Sequence, residues 1–372
     1  MKLLSGQNRP RIVIRFLIAV LVLLPARNFP LAIAETQVAP PAIYSGMCDA
    51  SAAVALTDRL FAVASDEDSV IRVYDRDRPG APVQSINLSA FLDLDPKQPE
   101  SDLEGAARVG ERIYWITSHG RNKSGRERRS RERFFATQIV TNAQRVELKM
   151  VGRPCEELLR DLSREPKLRA FKLAQASRRE PKAPGALNIE GLSATPDGRL
   201  LIGFRNPIPG GKALLVPLLN PDDVVRGRSA KFGEPILLDL GGRGIRDMAW
   251  WDDEFMIIGG PYNGKGQSHL YEWSGGTSTP RIVKHAHLND LNPEAIIFYP
   301  DKGGRQFQVL SDDGKRSVNG KPCKELTDPR VQHFRSVWVT VKRESEASRR
   351  QKNHDTARYR NPDSPHEFGS GP

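Results

Sequence analysis

Five segments of the 372-residue chain repeat one pattern. Each begins at an acidic residue, continues as a short apolar run, passes through a turn, and ends as a second apolar run closed by polar residues. Two strand-forming runs joined by a Gly-, Pro- or Asp-containing turn are typical of a β-hairpin. The five segments are CDASAAVALTDRLFAVASDED, DLEGAARVGERIYWITSHGR, NIEGLSATPDGRLLIGFRNP, IRDMAWWDDEFMIIGGPYN and NPEAIIFYPDKGGRQFQVLSDD.

The spacing of these hairpins indicates a β-propeller. Their acidic residues are 55, 86, 57 and 47 residues apart, and the long interval contains a charged, helix-compatible insertion, about residues 154–184. Without that insertion the period approaches the ~40–50 residues of a four-stranded propeller blade. We therefore expect an all-β fold of five or six four-stranded blades with a short helical insertion, in a domain spanning residues 35–342. Ring closure would remove exposed sheet edges, and a strand near Val337 would pair with residues after Glu35.

The two ends of the chain have a different character. Residues 1–34 contain five Lys or Arg, no acidic residue, the apolar run FLIAVLVLLP and small residues up to Ala34. This pattern predicts a signal peptide cleaved after Ala34, hence a periplasmic or secreted protein with no membrane span after cleavage. The alternative is an uncleaved membrane anchor. Residues 343–372 mix charges without apolar periodicity, which predicts a disordered tail.

Charge and cysteines limit the function classes. The formal net charge is +11, part of which belongs to the predicted signal peptide, so the remainder is only mildly basic and does not imply nucleic-acid binding. An exported chain could oxidise one pair of its three cysteines. We expect Cys155 with Cys323, because both lie in loop-like contexts, although sequence cannot fix the pairing. The chain has no CxxC motif or Cys/His cluster, which argues against zinc.

The acidic residues that open the hairpins are the candidate metal ligands. If the first strand of each hairpin is the innermost strand of its blade, the five carboxylates ring one mouth of the central channel. Each close pair would cost about 4 kcal/mol at ~4 Å and an effective dielectric near 20. A hard cation such as Ca²⁺ would relieve this repulsion, since it binds six to eight oxygens. Internal salt bridges, or hydrogen bonds to the next blade's amides, are the alternatives. The five residues are Asp49, Glu104, Glu190, Asp247 and Glu294.

The polar ends of the second strands should reach the same mouth, because the start of one antiparallel strand lies beside the end of its partner. The basic loop of residues 118–135 leaves this rim and could clamp an anion, although a solvated charge run is the alternative reading for its later part. Its basic residues are not interleaved with stacking aromatics, so we expect no specific nucleic-acid binding. The candidate residues for an anionic small molecule are His119, Arg121, Arg205, Asn206, Arg246 and Asp312.

Three of the hairpins carry a family resemblance. SDLEGAARVGERIYWITSHGRNKSG, LNIEGLSATPDGRLLIGFRNP and GIRDMAWWDDEFMIIGGP resemble the bacterial domain-of-unknown-function family numbered 3616, over about residues 43–341. The unit EGLSATPDGRLLIGF is more distantly similar to the esterase-like domain of phytase, another propeller. That second resemblance implies an anionic substrate such as a phosphate ester, with Ca²⁺ involved. It rests on Glu104-Gly105 and Glu190-Gly191 alone, and it transfers no nucleophile.

The combined hypothesis is an exported β-propeller that binds an anionic small molecule, with calcium-dependent phosphoester hydrolysis as its candidate reaction. We expect a monomer. The alternative is a non-catalytic binding or scaffold propeller whose rim loops recognise a protein or a cell-envelope polymer. Neither the substrate nor the catalytic residues can be read from the sequence.

Overall fold

The structure, a computed structural model, describes residues 36–142, 145–288, 290–303 and 305–341. The predicted signal peptide, residues 1–34, and the predicted tail, residues 343–372, lie outside these ranges. Within them the chain forms five larger antiparallel sheets and one two-stranded hairpin sheet. No helix in these ranges has the length and apolar character needed to cross a membrane.

The sheets follow one another along the chain. Two short strands come first, β1 (Gln37–Val38) and β2 (Ala42–Ser45). Blade 1 contains β3 (Ala52–Ala55), β4 (Leu60–Ala64), β5 (Val70–Asp75) and β6 (Gln84–Asn87). Blade 2 contains β7 (Leu103–Val109), β8 (Arg112–Thr117), β9 (Phe134–Asn142) and β10 (Arg145–Cys155). Blade 3 contains β11 (Asn188–Ala194), β12 (Leu200–Asn206), β13 (Ala213–Leu218) and β14 (Ile236–Leu238). Blade 4 contains β15 (Gly244–Trp251), β16 (Glu254–Gly260), β17 (His269–Trp273) and β18 (Arg281–Ile282).

Blade 5 closes the ring with both ends of the domain. Its strands are β19 (Pro293–Phe298), β20 (Gln306–Ser311) and β23 (His333–Thr340), and a small hairpin of β21 (Ser317–Val318) and β22 (Lys321–Pro322) lies between the last two. Both β1 and β2 pair with β23, Gln37 opposite Thr340 and Ala42 opposite Ser336. The predicted closure near Val337 is therefore confirmed, and the number of blades is five.

The first strand of each blade is its innermost. The strands β3, β7, β11, β15 and β19 contact one another in a closed circle, so that each blade begins at the central channel. Five apolar clusters fill the gaps between neighbouring blades. In blade 3 every residue of β12 is buried, because both faces of that strand pack against adjoining blades. Because strands of this kind are buried on both faces, their sequences are nearly continuous apolar runs.

The predicted insertion is helical and has a packing role. It contains α1 (Leu158–Arg164), a 3₁₀ helix (Pro166–Phe171) and α2 (Leu173–Ala176), and a further short helix, α3 (Pro221–Val225), joins β13 to β14. Leu158, Leu162 and Leu173 are buried in the apolar cluster between blades 2 and 3. The insertion therefore covers the outer part of that gap. Other 3₁₀ turns are Arg129–Arg131, Pro209–Gly211, Pro300–Lys302 and Cys323–Glu325.

The expected disulfide is wrong. Cys48 pairs with Cys323, with 5.8 Å between their Cα atoms, and Cys155 is a free thiol. Cys48 precedes blade 1 and Cys323 precedes the last strand of blade 5, and these blades become neighbours when the ring closes. Cys155 ends the outermost strand of blade 2 and packs against the cluster between blades 2 and 3. Ring closure, and not the loop context of each cysteine, therefore determines which two cysteines pair.

Candidate metal and anion site at the channel mouth

Three of the predicted acidic residues occupy the same structural position. In blades 2, 3 and 5 the pairing of the first two strands shifts by one residue near the start of the inner strand. The unpaired residues at these β-bulges are Glu104, Glu190 and Glu294. An extra residue in one strand bends the chain and redirects a side chain, which is why bulges recur beside functional sites. The bulge therefore places one acidic side chain per blade at the channel mouth.

Blade 4 carries an arginine at this position. Its register shifts between Ile245 and Asp247, so Arg246 is the bulge residue. Asp247 instead matches Gly105 and Gly191 of blades 2 and 3. A Cβ added at Gly191 would lie 2.5 Å from Cγ2 of Ile245 in the next blade, so this position points between blades.

Asp247 accordingly links two blades. Its Oδ2 accepts a hydrogen bond of 2.6 Å from the backbone nitrogen of Ile296, in the inner strand of blade 5. Burial raises the pKa of this carboxyl well above its usual range. Asp247 therefore fits the alternative in which a hairpin acid hydrogen-bonds to an amide of the next blade. The structure does not bring it together with the other acidic residues.

A chain of ion pairs crosses the mouth from blade 3 to blade 5. Glu190 receives Nη1 of Arg205 at 2.5 Å on Oε1, and its Oε2 lies 3.1 Å from Nε of Arg246. The guanidinium of Arg246 also pairs with Glu294. Burial, followed by repulsion from Arg205, lowers the pKa of Arg246. These pairs confirm that the arginines compensate part of the acidic charge.

The other side of the mouth is acidic, and only part of its charge is compensated. Two groups of three carboxylates have ligand oxygens that all lie within 4.8 Å of one another, and both groups include Asp66. We call them the cation triads: Asp49, Asp66 and Glu67 form the first, and Asp66, Asp102 and Glu104 the second. The second lies between blades 1 and 2, because Asp66 follows β4 and Glu104 lies in β7.

Two members of the triads lack a partner among the described residues. Oδ1 of Asp66 is buried and accepts no hydrogen bond from any of them. Glu104 is only 8% exposed, and none of the described residues forms an ion pair or hydrogen bond with its carboxylate. By contrast, Asp102 receives Nη1 of Arg131 at 2.8 Å, and Glu67 pairs with Lys324. A buried carboxylate without a partner is costly unless it is protonated or binds a cation.

The pKa values of four triad carboxylates are raised above their usual range. Burial, and then the neighbouring Asp312, raises the pKa of Asp49 to about 8. Burial raises the pKa of Asp102 to about 6 despite its arginine. Burial also raises the pKa values of Asp66 and Glu104 well above their usual range, with repulsion from other carboxylates adding to it. Asp49, Asp66 and Glu104 therefore favour the protonated form near neutral pH when no cation is bound, and the triads could bind a metal ion.

Two of the residues predicted to bind an anion lie away from the triads. His119 is buried, its Nδ1 contacts the carbonyl oxygen of Thr117 at 2.8 Å, and burial lowers its pKa to about 4. Arg121 donates to the carbonyl oxygens of Ser177 and Gly125, so it holds the helical insertion against the basic loop. Both residues line a cleft of about 490 Å³ between that loop and the insertion.

Of the remaining predicted residues, Asn206 has a structural role, whereas the others lie at the channel mouth. Asn206 is fully buried, and its Nδ2 donates to the carbonyl oxygens of Pro181 and Ala183, which fixes the chain returning from the insertion. Asp312 lies at the mouth: it forms a β-bridge with Asp49 and accepts 2.8 Å hydrogen bonds from Asn292 and from the backbone of Gly314. Arg205 and Arg246 are at the mouth as expected.

Sequence reasoning missed three members of the triads as ligands, Asp66, Glu67 and Asp102. A signal for two of them was present. Asp102 stands two residues before Glu104, directly before β7, and so lies at the same end of the inner strand. Asp66 closes the second strand of the first hairpin, where an antiparallel pair returns to the mouth. Searching the strand ends as well as the strand starts would have found both.

Comparison with known proteins identifies the family of the chain. Residues 49–180 and 137–297 match the family described as "Protein of unknown function (DUF3616)", and the chain belongs to that family. Comparison with curated proteins gives no match.

Solved structures resemble the fold at low identity. Glutaminyl cyclase from Myxococcus xanthus is 12% identical with a TM-score of 0.44, over 83% of this chain and 97% of that one. A putative oxidoreductase (glucose dehydrogenase) from Thermus thermophilus is 14% identical with a TM-score of 0.40, over 82% and 99%. A GH43 protein from Bacillus licheniformis is 10% identical with a TM-score of 0.43, over 84% and 55%.

Proposed function

We propose that the channel mouth binds a divalent cation, with Ca²⁺ as the best match, and that this cation recruits an anionic small molecule. The observation that carries the proposal is Asp66, a carboxylate shared by both triads whose buried Oδ1 has no hydrogen-bond partner among the described residues. All the ligand atoms are oxygens, and hard cations prefer oxygen ligands. A site built from carboxylates without thiolate or imidazole favours Ca²⁺ over zinc or copper.

The charge balance at the mouth supports a cation. Asp49, Asp66, Glu104 and Asp312 form no ion pair with any Lys or Arg in the described ranges, whereas Glu190 and Glu294 do. The uncompensated carboxylates therefore lie together on the side of blades 1, 2 and 5. A divalent ion there would replace the protons that the raised pKa values retain.

The reaction that this arrangement favours is phosphoester hydrolysis. A bound divalent cation would polarise a phosphoryl oxygen and lower the pKa of a bound water. Arg205 lies at the same mouth and could neutralise charge that develops on the phosphoryl group. Binding without hydrolysis, as in a scaffold propeller, is the alternative outcome.

The disulfide supports the proposed export. Cys48–Cys323 joins residues 275 positions apart and ties the chain before blade 1 to blade 5. Disulfides of this structural kind persist in oxidising compartments such as the bacterial periplasm or the extracellular medium. We therefore propose that the protein works in one of these compartments.

Calcium titration of the metal-free protein tests the proposal. Isothermal calorimetry should detect Ca²⁺ binding, and Ca²⁺ at 100 times the dissociation constant should stabilise the fold by about 2.7 kcal/mol. Asp66→Asn should weaken binding strongly, because it removes a negative charge and one carboxylate oxygen from both triads. The exposed Glu234, which pairs with Lys167, provides the control Glu234→Gln, and this variant should bind Ca²⁺ normally.

Ca²⁺ binding and phosphoester hydrolysis, measured separately, distinguish a hydrolase from a binding protein. Absence of Ca²⁺ binding by the wild type, or equal binding by wild type and Asp66→Asn, would overturn the cation site. Hydrolysis of p-nitrophenyl phosphate that needs Ca²⁺ and disappears in Asp66→Asn would support the hydrolase. Ca²⁺ binding without hydrolysis of any phosphoester in a substrate panel would identify a binding protein instead.

A further inference from the structure

Positive side chains from separate parts of the chain converge beside the cation triads. We call Lys182, Arg205 and Lys315 the cationic cluster. Lys182 lies in the segment returning from the helical insertion, Arg205 lies in β12 of blade 3, and Lys315 follows the last inner hairpin, in blade 5. A Cβ added at Gly264 would lie 3.4 Å from Nη2 of Arg205 and 3.9 Å from Nζ of Lys182. Both positive groups therefore approach the same point on one turn.

The cluster has more positive charge than its protein partners neutralise. Arg205 is 6% exposed, and it uses Nη1 for Glu190 and Nε for the carbonyl oxygen of Pro261. Its Nη2 forms no hydrogen bond or ion pair with any described residue. Lys182 and Lys315 form no ion pair within the same ranges. Burial, followed by repulsion from Lys315 and Arg205, lowers the pKa of Lys182. Three positive groups with Glu190 as their one ion-pair partner among the described residues retain a net positive charge that can attract an anion.

The cluster adjoins the first cation triad. The backbone nitrogen of Gly314, the residue before Lys315, donates 2.8 Å to Oδ1 of Asp312. A Cβ at Gly314 would overlap the carboxylate of Asp49, so this loop lies directly against the triad. The negative charges of Glu104 and Asp312 also contribute to raising the pKa of Arg205. A ligand at the mouth would therefore meet a cationic region and a cation-binding region side by side.

We propose that the cationic cluster binds one phosphate group of a ligand that carries two linked anionic groups, and that the second group coordinates the metal at the triads. The ligand class is thus a diphosphate or a similarly doubly phosphorylated compound. Nη2 of Arg205 and the two lysine ammonium groups supply hydrogen-bond donors and positive charge for a phosphate. The metal half of this inference rests on the proposed function, whereas the phosphate half depends on the cluster alone.

Inorganic pyrophosphate is the probe. Metal-free protein is titrated with pyrophosphate by calorimetry, first as wild type and then as Lys182→Gln, Lys315→Gln and the double variant. We expect the double variant to bind about tenfold more weakly, because two charge-assisted contacts are lost. Lys149→Gln is the matched control: Lys149 is exposed on the outer strand of blade 2 and should not affect binding. Both lysines are at the surface, so the variants should fold, which circular dichroism checks.

The outcomes separate the two proposals. Equal pyrophosphate affinity in wild type and double variant, or an equal loss in Lys149→Gln, would overturn the cluster as a phosphate site, whatever the calcium result. If the cluster is confirmed, Ca²⁺ at low concentration should tighten pyrophosphate binding to the wild type but not to Asp66→Asn. Tightening of orthophosphate to the same extent would overturn the two-group ligand, because orthophosphate cannot span both regions.

Discussion

Nε of Arg246 lies 3.1 Å from Oε2 of Glu190, in a contact that joins the inner strands of blades 4 and 3. Both residues are unpaired members of a β-bulge at the same point of their blades. Arg246 also reaches Glu294 of blade 5, so one arginine holds two carboxylates from its two neighbouring blades. The bulge therefore decides which side chains meet at the channel mouth.

Replacing Arg246 with methionine should destabilise the protein strongly. Removing one partner of a buried ion pair leaves uncompensated charge, which typically costs about 3–5 kcal/mol. The free energy of unfolding from urea denaturation measures the loss. Arg330→Met, at an exposed ion pair with Asp328, should leave the free energy of unfolding nearly unchanged, because solvent screens this pair. An equally small effect at Arg246 would mean that the ion-pair chain is not a structural element of the mouth.

Asp247 should contribute to the stability of the fold and not to cation binding. Asp247→Ala leaves the backbone nitrogen of Ile296 without its acceptor, which should cost about 1–3 kcal/mol. Asp247→Asn keeps an acceptor and should cost less, since burial already favours the neutral carboxyl. Denaturation curves measure both losses, and the Ca²⁺ affinity of both variants should equal that of the wild type. A Ca²⁺ affinity as weak as that of Glu104→Gln would contradict this assignment.

The metal-free protein should lose stability as the pH rises through the neutral range. The pKa of Asp49 is raised to about 8 and that of Asp102 to about 6, so the folded state holds protons that the unfolded state releases. Their contribution is complete below about pH 4 and is lost by about pH 8, with a slope of about 1.4 kcal/mol per pH unit for each proton.

Thermal unfolding in chelator-treated buffer measures this dependence. The Tm should be higher at about pH 5.5 than at about pH 8.5, and added Ca²⁺ should reduce the difference because the cation replaces the protons. Asp49→Asn, which cannot ionise, should show a flatter profile. A Tm that rises steadily with pH in the metal-free wild type would contradict the pKa directions.

The Cys48–Cys323 disulfide should contribute to both stability and the first cation triad. Peptide mapping under non-reducing conditions should recover this pair, with Cys155 alkylated slowly because burial raises the pKa of its thiol. Replacing both paired cysteines with alanine should cost about 2–5 kcal/mol. It should also weaken Ca²⁺ binding, since Asp49 follows Cys48, and Lys324, the partner of Glu67, follows Cys323. Cys155→Ala is the control and should leave Ca²⁺ affinity unchanged.

Much of the fold could be predicted from local patterns. Turn residues such as Pro196-Asp197-Gly198 between two apolar runs define a hairpin wherever they occur, and hairpins at blade spacing require ring closure to bury their edges. The helical insertion was visible as a charged interval between two hairpins. The acidic starts of the hairpins correctly located Glu104, Glu190 and Glu294 near the channel. These features depend on residues that are close together in the chain, and so they can be predicted from the sequence.

The remaining features depend on contacts between distant segments. The sequence letters do not show whether Arg246 or Asp247 is the bulge residue, because one extra residue in a strand reverses the direction of each side chain that follows. Cys48 meets Cys323 only because the ring brings blade 1 against blade 5. The triads likewise combine residues of blades 1 and 2 with the segment before blade 1. Hairpin chemistry thus determines the blades, whereas ring closure and the one-residue register shift determine which charges share the mouth.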